Sequence, residues 1–304
     1  MTTSGTAPAP PATGAPDLPA LLAAGTTVVL WASAFVGIRH VGTEVGPAAL
    51  TLGRLAVAAL VLGLVLLARP RAAGPRPSRR DLPLLLLCGL AWFGAYNVAL
   101  NAAEQRLDAG TAAMLVNVGP LLIAALAGVV LGEGFPRPLV TGLGVAFAGV
   151  LVIGAASSSG GAEAWGVVLC LVAAVAYAVG VVAQKPLLGR LTGLRVTFLA
   201  CAVGGAACLP AAPALADDLA AASTGTVLWL AYLGVFPTAV AFTTWAFALS
   251  RTTAGRMGAT TYLVPPLAVL MGWALLGEVP AALALAGGAL CLAGVALARR
   301  RPAP

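Results

Sequence analysis

Charged residues are scarce in this sequence. It contains 17 Lys and Arg and 10 Asp and Glu among 304 residues, so 9% of the side chains are charged and 60% are hydrophobic. An ordinary soluble domain carries about 25% charged residues. A chain with so little charge cannot cover a water-facing surface, which excludes a soluble globular protein, a disordered protein and a nucleic-acid-binding protein.

Patterns typical of reactive or metal-binding sites are also absent. The five cysteines all lie in apolar runs and none has C-x-x-C spacing, which indicates buried apolar thiols rather than a disulfide framework or a zinc site. The sequence has no H-E-x-x-H, G-x-S-x-G or P-loop pattern. We therefore expect no enzymatic activity, no metal and no cofactor.

Long apolar runs dominate what is present. A membrane-spanning helix needs about 20 apolar residues, and helix is the structure expected of such runs in hydrocarbon. The sequence predicts an all-α integral membrane protein with ten transmembrane helices, at residues 19–39, 47–67, 82–103, 109–131, 136–154, 164–184, 194–214, 226–249, 256–276 and 280–298. Residues 1–18 are expected to form a disordered tail without the basic start of a signal peptide, and 299–304 a basic tail.

The positive residues divide unequally between the two sides of these spans. Arg39 and Arg106 fall on one side, and Arg54 lies within the second span. Because basic residues accumulate in cytoplasmic loops, this division predicts a cell-membrane protein with both termini in the cytoplasm. The other 14 fall on the opposite side: Arg69, Arg71, Arg76, Arg79, Arg80, Arg137, Lys185, Arg190, Arg195, Arg251, Arg256, Arg299, Arg300 and Arg301.

The chain repeats itself at an offset of 145 residues. Residues 109–150 align without a gap on 254–295, with 11 identities in 42 positions. The most distinctive matches are Pro120 with Pro265 and Glu133 with Glu278. Each half holds five spans, and an odd number inverts the second half in the membrane. The sequence thus predicts two inverted five-helix repeats, at 19–154 and 164–298.

Three sets of motifs resemble those of a known family. They are the run Trp31-Ala32-Ser33-Ala34-Phe35, then Pro47 with Arg54-Leu55, and the paired blocks around Leu131-Gly132-Glu133 and Leu276-Gly277-Glu278. These motifs resemble the drug/metabolite transporter superfamily, specifically the EamA-type ten-span exporters, over about residues 19–298. The resemblance implies a central cavity lined by spans 1–4 and 6–9, peripheral spans 5 and 10, alternating access, and export of amino acids, metabolites or drugs.

Arg54 is the first candidate for substrate binding. It lies about 4–5 Å from the midplane of its span, where a charge costs about 2.5–3.5 kcal/mol on insertion scales. Its guanidinium could receive a substrate carboxylate or phosphate, or it could be structural. Trp31, Asn97 and Asn117 are predicted at a similar depth, and the asparagines could bind substrate or join helices.

Aromatic residues and prolines supply further candidates. Phe93 and three residues of the second half, Tyr177, Trp245 and Tyr262, are predicted to contact substrate. Pro120, Pro265 and Pro266 are predicted hinges, because proline frees a carbonyl and permits a bend; static kinks are the alternative. Glu133 and Glu278 are interpreted as gate residues or loop anchors. Arg137 is available to Glu133, whereas loop 277–280 contains no basic residue for Glu278.

Three functions remain open at this point. The favoured one is export of small polar metabolites, such as amino acids or related carboxylates held by Arg54. The second is efflux of hydrophobic drugs through an aromatic cavity, and the third is a channel-like scaffold. No Asp or Glu lies in the middle of a span, so a proton carrier would have to be Glu104 or Glu133; otherwise the protein is a facilitator or an exchanger. The glycines of spans five and ten could pack within a monomer or form a homodimer.

Overall fold

The structure is a computed structural model that describes residues 18–130, 137–156, 161–251 and 260–298. The described residues form helices and loops without strands. We number the main helices as follows: α1 Leu18–Val41, α2 Pro47–Ala68, α3 Leu82–Glu104, α4a Ala109–Val116, α4b Gly119–Val130, α5 Arg137–Ala156, α6 Gly161–Leu187, α7a Gly193–Ala207, α7b Ala212–Ala221, α8 Thr224–Arg251, α9 Thr261–Leu276 and α10 Ala282–Ala298.

These helices follow the apolar runs of the sequence closely. Six are long and apolar enough to cross a membrane, or seven if α7a and the segment Leu209–Ala221, bent by 58°, form one span. Shorter apolar helices lie at Val140–Ala155, Thr261–Leu276 and Ala282–Leu297. Large hydrophobic side chains such as Leu67, Leu228 and Trp273 are exposed on the outer surface of the bundle, as expected for contact with lipid. The protein is therefore a multi-pass membrane protein.

Irregular helix segments recur at the same offset as the sequence repeat. A π-helical segment at Gly89–Ala95 interrupts α3, and another at Gly234–Val240 interrupts α8, 145 residues later. Similarly, α4 breaks at Asn117 and Val118, and α9 begins with a 3-10 turn at Thr261–Leu263. Such breaks free backbone groups and are typical of functional positions in membrane helices.

The predicted hinge prolines lie at these breaks. Pro120 is the second residue of α4b, directly after the break in α4. Pro265 and Pro266 occupy the first turn of Val264–Leu276, where a missing N–H costs no intrahelical hydrogen bond. Glu133, in contrast, lies outside the described residues.

Helices from the two halves of the sequence alternate in the bundle. Helix α1 packs against α8 and α9, α3 and α4b pack against α6, and α2 packs against α7a. Helices α5 and α10 pair with each other at the periphery. The hydrophobic core therefore forms between the halves rather than within each of them, and its largest cluster contains residues from both.

Glycines allow α5 and α10 to pack closely inside one chain. A Cβ atom added at Gly149 would lie 2.6 Å from the carbonyl oxygen of Gly287, and one at Gly294 would lie 2.6 Å from that of Gly142. The Cys291 thiol also donates to the Ala146 carbonyl at 3.4 Å. Small residues at such crossings let helix backbones approach. These glycines thus form the close contact between α5 and α10 within one chain.

We expect Gly149→Ala to destabilise the protein, because the new methyl group would clash with the backbone of α10. Overpacking of this kind costs about 1–3 kcal/mol, which corresponds to about 2 °C or more in the thermal unfolding midpoint. Gly144→Ala in the same helix is the matched control, since its Cβ would meet no atom within 4 Å. Equal midpoints for the two variants in detergent would contradict this packing.

Polar contacts tie the two halves together at both ends of the bundle. At the end where α1 stops, which we call the Arg39 end, Glu44 accepts hydrogen bonds from the backbone N–H and the hydroxyl of Ser223 at 2.7 and 3.0 Å. At the opposite end, which we call the Arg190 end, Asp81 accepts from Ser78 and forms an ion pair with Arg190. Ser78 and Ser223 are again 145 residues apart.

These contacts favour the ionised form of both carboxylates. The Ser223 N–H is the main reason that the pKa of Glu44 is lowered, and the Ser78 hydroxyl is the main reason for the lowered pKa of Asp81. The two ends of the bundle are thus closed by charge-assisted hydrogen bonds between opposite halves of the chain.

Candidate functional site

A cavity lies between the helices in the middle of the bundle. Residues of both sequence halves line it: Trp31, Ala34, Phe35, Ile38, Arg54, Trp92, Tyr96, Leu100, Ala113, Val116, Asn117, Tyr177, Phe242, Thr261 and Val264. Helices α5 and α10 contribute no lining residue, as the family resemblance implies. Helix α7 was expected to line the cavity but contributes none of these residues, because it packs behind α2 and α3.

Arg54 is the only charged side chain among the described residues that line this cavity. The residue is 4% exposed, and its Nε and Nη2 donate to the hydroxyl of Thr238 at 3.1 and 3.0 Å. That hydroxyl in turn donates to the carbonyl of Leu233 at 2.7 Å, which the π-helical segment of α8 makes available. Among the described residues no carboxylate pairs with Arg54, and its Nη1 has no hydrogen-bond partner.

Two polar groups with unused hydrogen-bonding capacity also line the cavity. Asn117 sits at the break in α4, and its Nδ2 has no partner among the described residues. The same holds for the hydroxyl of Tyr177 on α6. A buried polar group without a partner is costly. A ligand with complementary donors and acceptors would relieve this cost at Asn117, Tyr177 and Arg54 together.

Aromatic rings form the wall of the cavity that faces the Arg190 end. Trp31 contacts Trp245 with 4.9 Å between ring centroids, and Trp92 contacts Phe242 at 4.9 Å and Tyr177 at 5.2 Å. A hydroxyl–hydroxyl hydrogen bond of 2.8 Å between Thr27 and Thr244 joins α1 to α8 beside this cluster. The wall offers apolar contact and ring faces that attract cations.

The structure places four of the predicted substrate residues in the lining: Arg54, Trp31, Asn117 and Tyr177. The other four lie behind it. Phe93 and Trp245 are buried in the aromatic cluster, and Tyr262 packs against the small cluster around Leu121. Asn97 donates to the carbonyls of Trp92 and Phe93 at 3.2 and 2.8 Å, so its amide satisfies the π-helical segment of its own helix.

Sequence reasoning missed four residues of the site: Trp92, Tyr96, Phe242 and the Arg54 partner Thr238. The repeat offers a signal for two of them. Phe242 occupies the position that matches Asn97, and Thr238 the position that matches Phe93. Neither Trp92 nor Tyr96 has a comparable signal, because nothing in a single sequence indicates which faces of α3 line the cavity.

Glu278 has the partner that its own loop lacks. Its Oε1 accepts a 2.7 Å hydrogen bond from Nε of Arg39, at the end of α1. Its Oε2 accepts from the backbone N–H of Ala109 at 3.3 Å, where the positive end of the α4a dipole favours a carboxylate. Glu278 therefore links α1, α4 and the turn before α10 at the Arg39 end.

Comparison with known proteins identifies the family of this chain. The model of the EamA-like transporter family matches it twice, over residues 18–155 and 164–300. The chain belongs to the EamA-like transporter family. It is accordingly a membrane transporter of the drug/metabolite type and not an enzyme, and a small molecule is its substrate.

Two curated relatives carry names that include a substrate class. A probable terminal-alkyne amino-acid exporter of Streptantibioticus cattleyicolor is 42% identical over 90% of this chain and 91% of its own length. A probable amino-acid metabolite efflux pump of Salmonella typhimurium is 28% identical over 88% of this chain and 90% of its own length. Both names describe exporters of amino acids or of their metabolites.

A solved crystal structure shares the fold. It superposes with a TM-score of 0.62 and covers 92% of this chain and 97% of its own, at 20% sequence identity. Similarity at this level supports the arrangement of helices alone, and the chemistry of the site rests on the residues described above.

Proposed function

We propose that this EamA-family protein exports small molecules that carry a carboxylate, in particular amino acids, by alternating access. The observation that carries this proposal is the buried Arg54, which faces an aromatic cavity without a carboxylate partner among the described residues. An arginine in this position binds carboxylates through directed hydrogen bonds. The names of the two amino-acid-exporting relatives agree with this chemistry.

The cavity lining suggests how such a cargo binds. Its carboxylate would contact Nη1 of Arg54, while Asn117 and Tyr177 supply the remaining hydrogen bonds. An ammonium group would lie over the ring faces of Trp31 or Tyr96, and an apolar side chain would fill the space between the rings. Phe93, Asn97, Trp245 and Tyr262 support these residues from behind.

The architecture that we propose for this cycle is ten spans in two inverted repeats, at 19–154 and 164–298. Its support comes from four features that recur at an offset of 145 residues: the π-helical segments, the breaks in α4 and α9, the glycine contacts of α5 with α10, and the serine ties at the two ends. The distribution of positive charge supports an Arg39 end outside the cell and cytoplasmic termini.

We assign the movements of this transport cycle to the irregular segments of α4 and α9 and to the polar contacts at the ends of the bundle. Pro120 directly follows the break in α4, and Pro265 and Pro266 directly follow the 3-10 turn that begins α9, so they would act as hinges. Glu278 would act as a gate residue, since the Arg39 end opens only when its contacts with Arg39 and Ala109 separate. Residues from both halves of the chain line the cavity, so the monomer would be the transporting unit, and assembly into a homodimer would use another surface.

Efflux of hydrophobic drugs is a second candidate, favoured by the rings of Trp31, Trp92, Tyr96, Tyr177 and Phe242 in the lining. The two candidate functions differ in whether the cargo needs the guanidinium of Arg54. An apolar drug gains nothing from a guanidinium and leaves its Nη1 unpaired, whereas a carboxylate satisfies it.

Proteoliposomes loaded with pooled amino acids, organic acids and amines test the proposal. We expect carboxylate-bearing compounds to leave selectively, as measured by mass spectrometry against liposomes without protein. Selective loss of amines or apolar drugs would contradict the proposal and favour drug efflux. Measurement with and without a pH gradient reports the coupling to protons.

A further inference from the structure

Glu104 is a buried carboxylate that the transport proposal above does not use. It is the last residue of α3, at the Arg39 end, and is 1% exposed. Neither of its carboxylate oxygens has a hydrogen-bond partner among the described residues. Glu104 thus differs from four other carboxylates of this end, since Glu44, Asp108, Asp218 and Glu278 all accept hydrogen bonds.

The nearby arginine does not neutralise Glu104. Nη1 of Arg39 donates to the backbone carbonyl of Glu104 at 2.6 Å, while Nε of the same guanidinium pairs with Glu278. The charge of Arg39 is therefore already balanced by a closer carboxylate. The charged and titratable groups that act on Glu104 come from six places: Arg39 on α1, Arg54 on α2, Tyr96 on α3, Asp108 before α4a, Cys170 on α6 and Glu278 before α10.

An ionised carboxylate is poorly suited to this environment. It would be removed from water without hydrogen bonds, and this cost outweighs the attraction by Arg39 and Arg54, while Glu278 and Asp108 would repel it. A protonated Glu104 carries no charge and can remain among the apolar side chains of the closed end. Separation of the halves at the Arg39 end would admit water and release Arg39 from Glu278, and both changes favour ionised Glu104.

We propose that Glu104 is a proton-binding site, and that the Arg39 end closes when Glu104 takes up a proton and opens when Glu104 releases it. The inference rests on the alternating access of the proposed function. One proton joins one carboxylate oxygen on closure and returns to water on opening. With the Arg39 end outside, cargo leaves through the open end. The proton is taken from external water on closure and returned to it on opening, so external pH sets the ratio of open to closed protein and no net proton crosses the membrane.

Distance measurement between spin labels tests this proposal without any cargo. Thr43 and Thr224 are exposed and lie at the Arg39 end on opposite halves, and the native cysteines are all buried. We would label the Thr43→Cys/Thr224→Cys protein in lipid nanodiscs and record distance distributions from acidic to alkaline pH. Closure that binds one proton changes the ratio of open to closed protein by up to about tenfold per pH unit.

The expected result is a short distance at acidic pH and a growing population at a longer distance as pH rises. E104Q carries a permanently neutral amide and should keep the short distance at every pH. Two variants serve as controls. D217N removes an exposed acid of the same end, and H40Q removes the histidine that lies beside Trp229; both should titrate like the parent protein.

Each other outcome overturns the proposal. A parent protein with the same distances at every pH contains no such proton site, and an E104Q variant that titrates like the parent assigns the proton elsewhere. Loss of the pH dependence in H40Q would assign the proton site to His40. This result would overturn the proposal even if E104Q does not fold. These outcomes are distinct from a failure of the cargo proposal. A protein that titrates as expected but exports no amino acid contradicts only the proposal that amino acids are the cargo.

Discussion

Arg54→Gln should abolish export of carboxylate-bearing cargo and leave the protein folded. Loss of one partner from a buried, hydrogen-bonded charge pair costs about 2 kcal/mol or more, which corresponds to about 30-fold or more in cargo affinity. Stability should not fall with it, because the substitution removes a charge whose insertion costs about 2.5–3.5 kcal/mol. Flux from proteoliposomes and thermal unfolding in detergent measure the two effects.

Three further variants separate cargo binding from a structural role. Arg69→Gln removes an exposed arginine beyond the end of the same helix and should export like the parent protein. Thr238→Ala keeps the guanidinium but removes the hydroxyl that orients it, so we expect a smaller loss than in Arg54→Gln. Arg54→Lys keeps a charge without the planar donor set and should recover only part of the activity.

Unchanged export in a folded Arg54→Gln protein would exclude a role for Arg54 in cargo binding. A variant that unfolds would instead indicate that Arg54 is structural, with its bonds to Thr238 as the reason. Loss of carboxylate export with preserved efflux of an apolar drug would indicate that both kinds of cargo use the aromatic cavity and that only one uses the guanidinium.

Covalent linkage of the two halves at the Arg39 end should stop export completely. Glu44 and Ser223 are 2.7 Å apart at the closest atoms, between Oε2 and the backbone nitrogen. A Glu44→Cys/Ser223→Cys protein treated with a short, cleavable bifunctional thiol reagent would therefore be held closed at this end. Alternating access requires each end to open in turn, so flux should fall to the level of empty liposomes.

The controls for this experiment use the same protein. The unreacted double variant should export, which shows that loss of the Glu44 contacts does not itself stop transport. Cleavage of the reagent should restore flux, and each single-cysteine variant should be unaffected because the five native thiols are buried. Undiminished flux through the crosslinked protein would favour a channel that does not separate at this end.

Composition and periodicity predicted the class of this protein for a simple physical reason. Runs of about 20 apolar residues with few charges have one stable arrangement in a bilayer, namely helices that satisfy their own backbone. The predicted spans 47–67 and 226–249, for example, correspond to helices Pro47–Ala68 and Thr224–Arg251. The family could also be recognised from the sequence, because the same Pro and Glu residues occur at matching positions in the two halves of the chain.

The site was harder to predict because the depth of a residue in the membrane does not determine the direction in which its side chain points. Arg54, Asn97 and Asn117 were placed at similar depths by counting residues. Their surroundings differ, since Asn117 lines the cavity and Asn97 bonds the carbonyls of its own helix. The π-helical segment that makes those carbonyls available rotates the helix face, and such a segment has no clear signature in sequence.

The apolar helices, the offset of 145 residues and the arginine within a span can all be predicted from the amino-acid sequence, because these features depend on composition and on position along the chain. Only the tertiary structure decided which groups meet. Arg39 and Glu278 pair across 239 residues, and Arg54 reaches Thr238 across 184. Such contacts arise because helices of one half pack between helices of the other, and that packing depends on the shapes of all the side chains together.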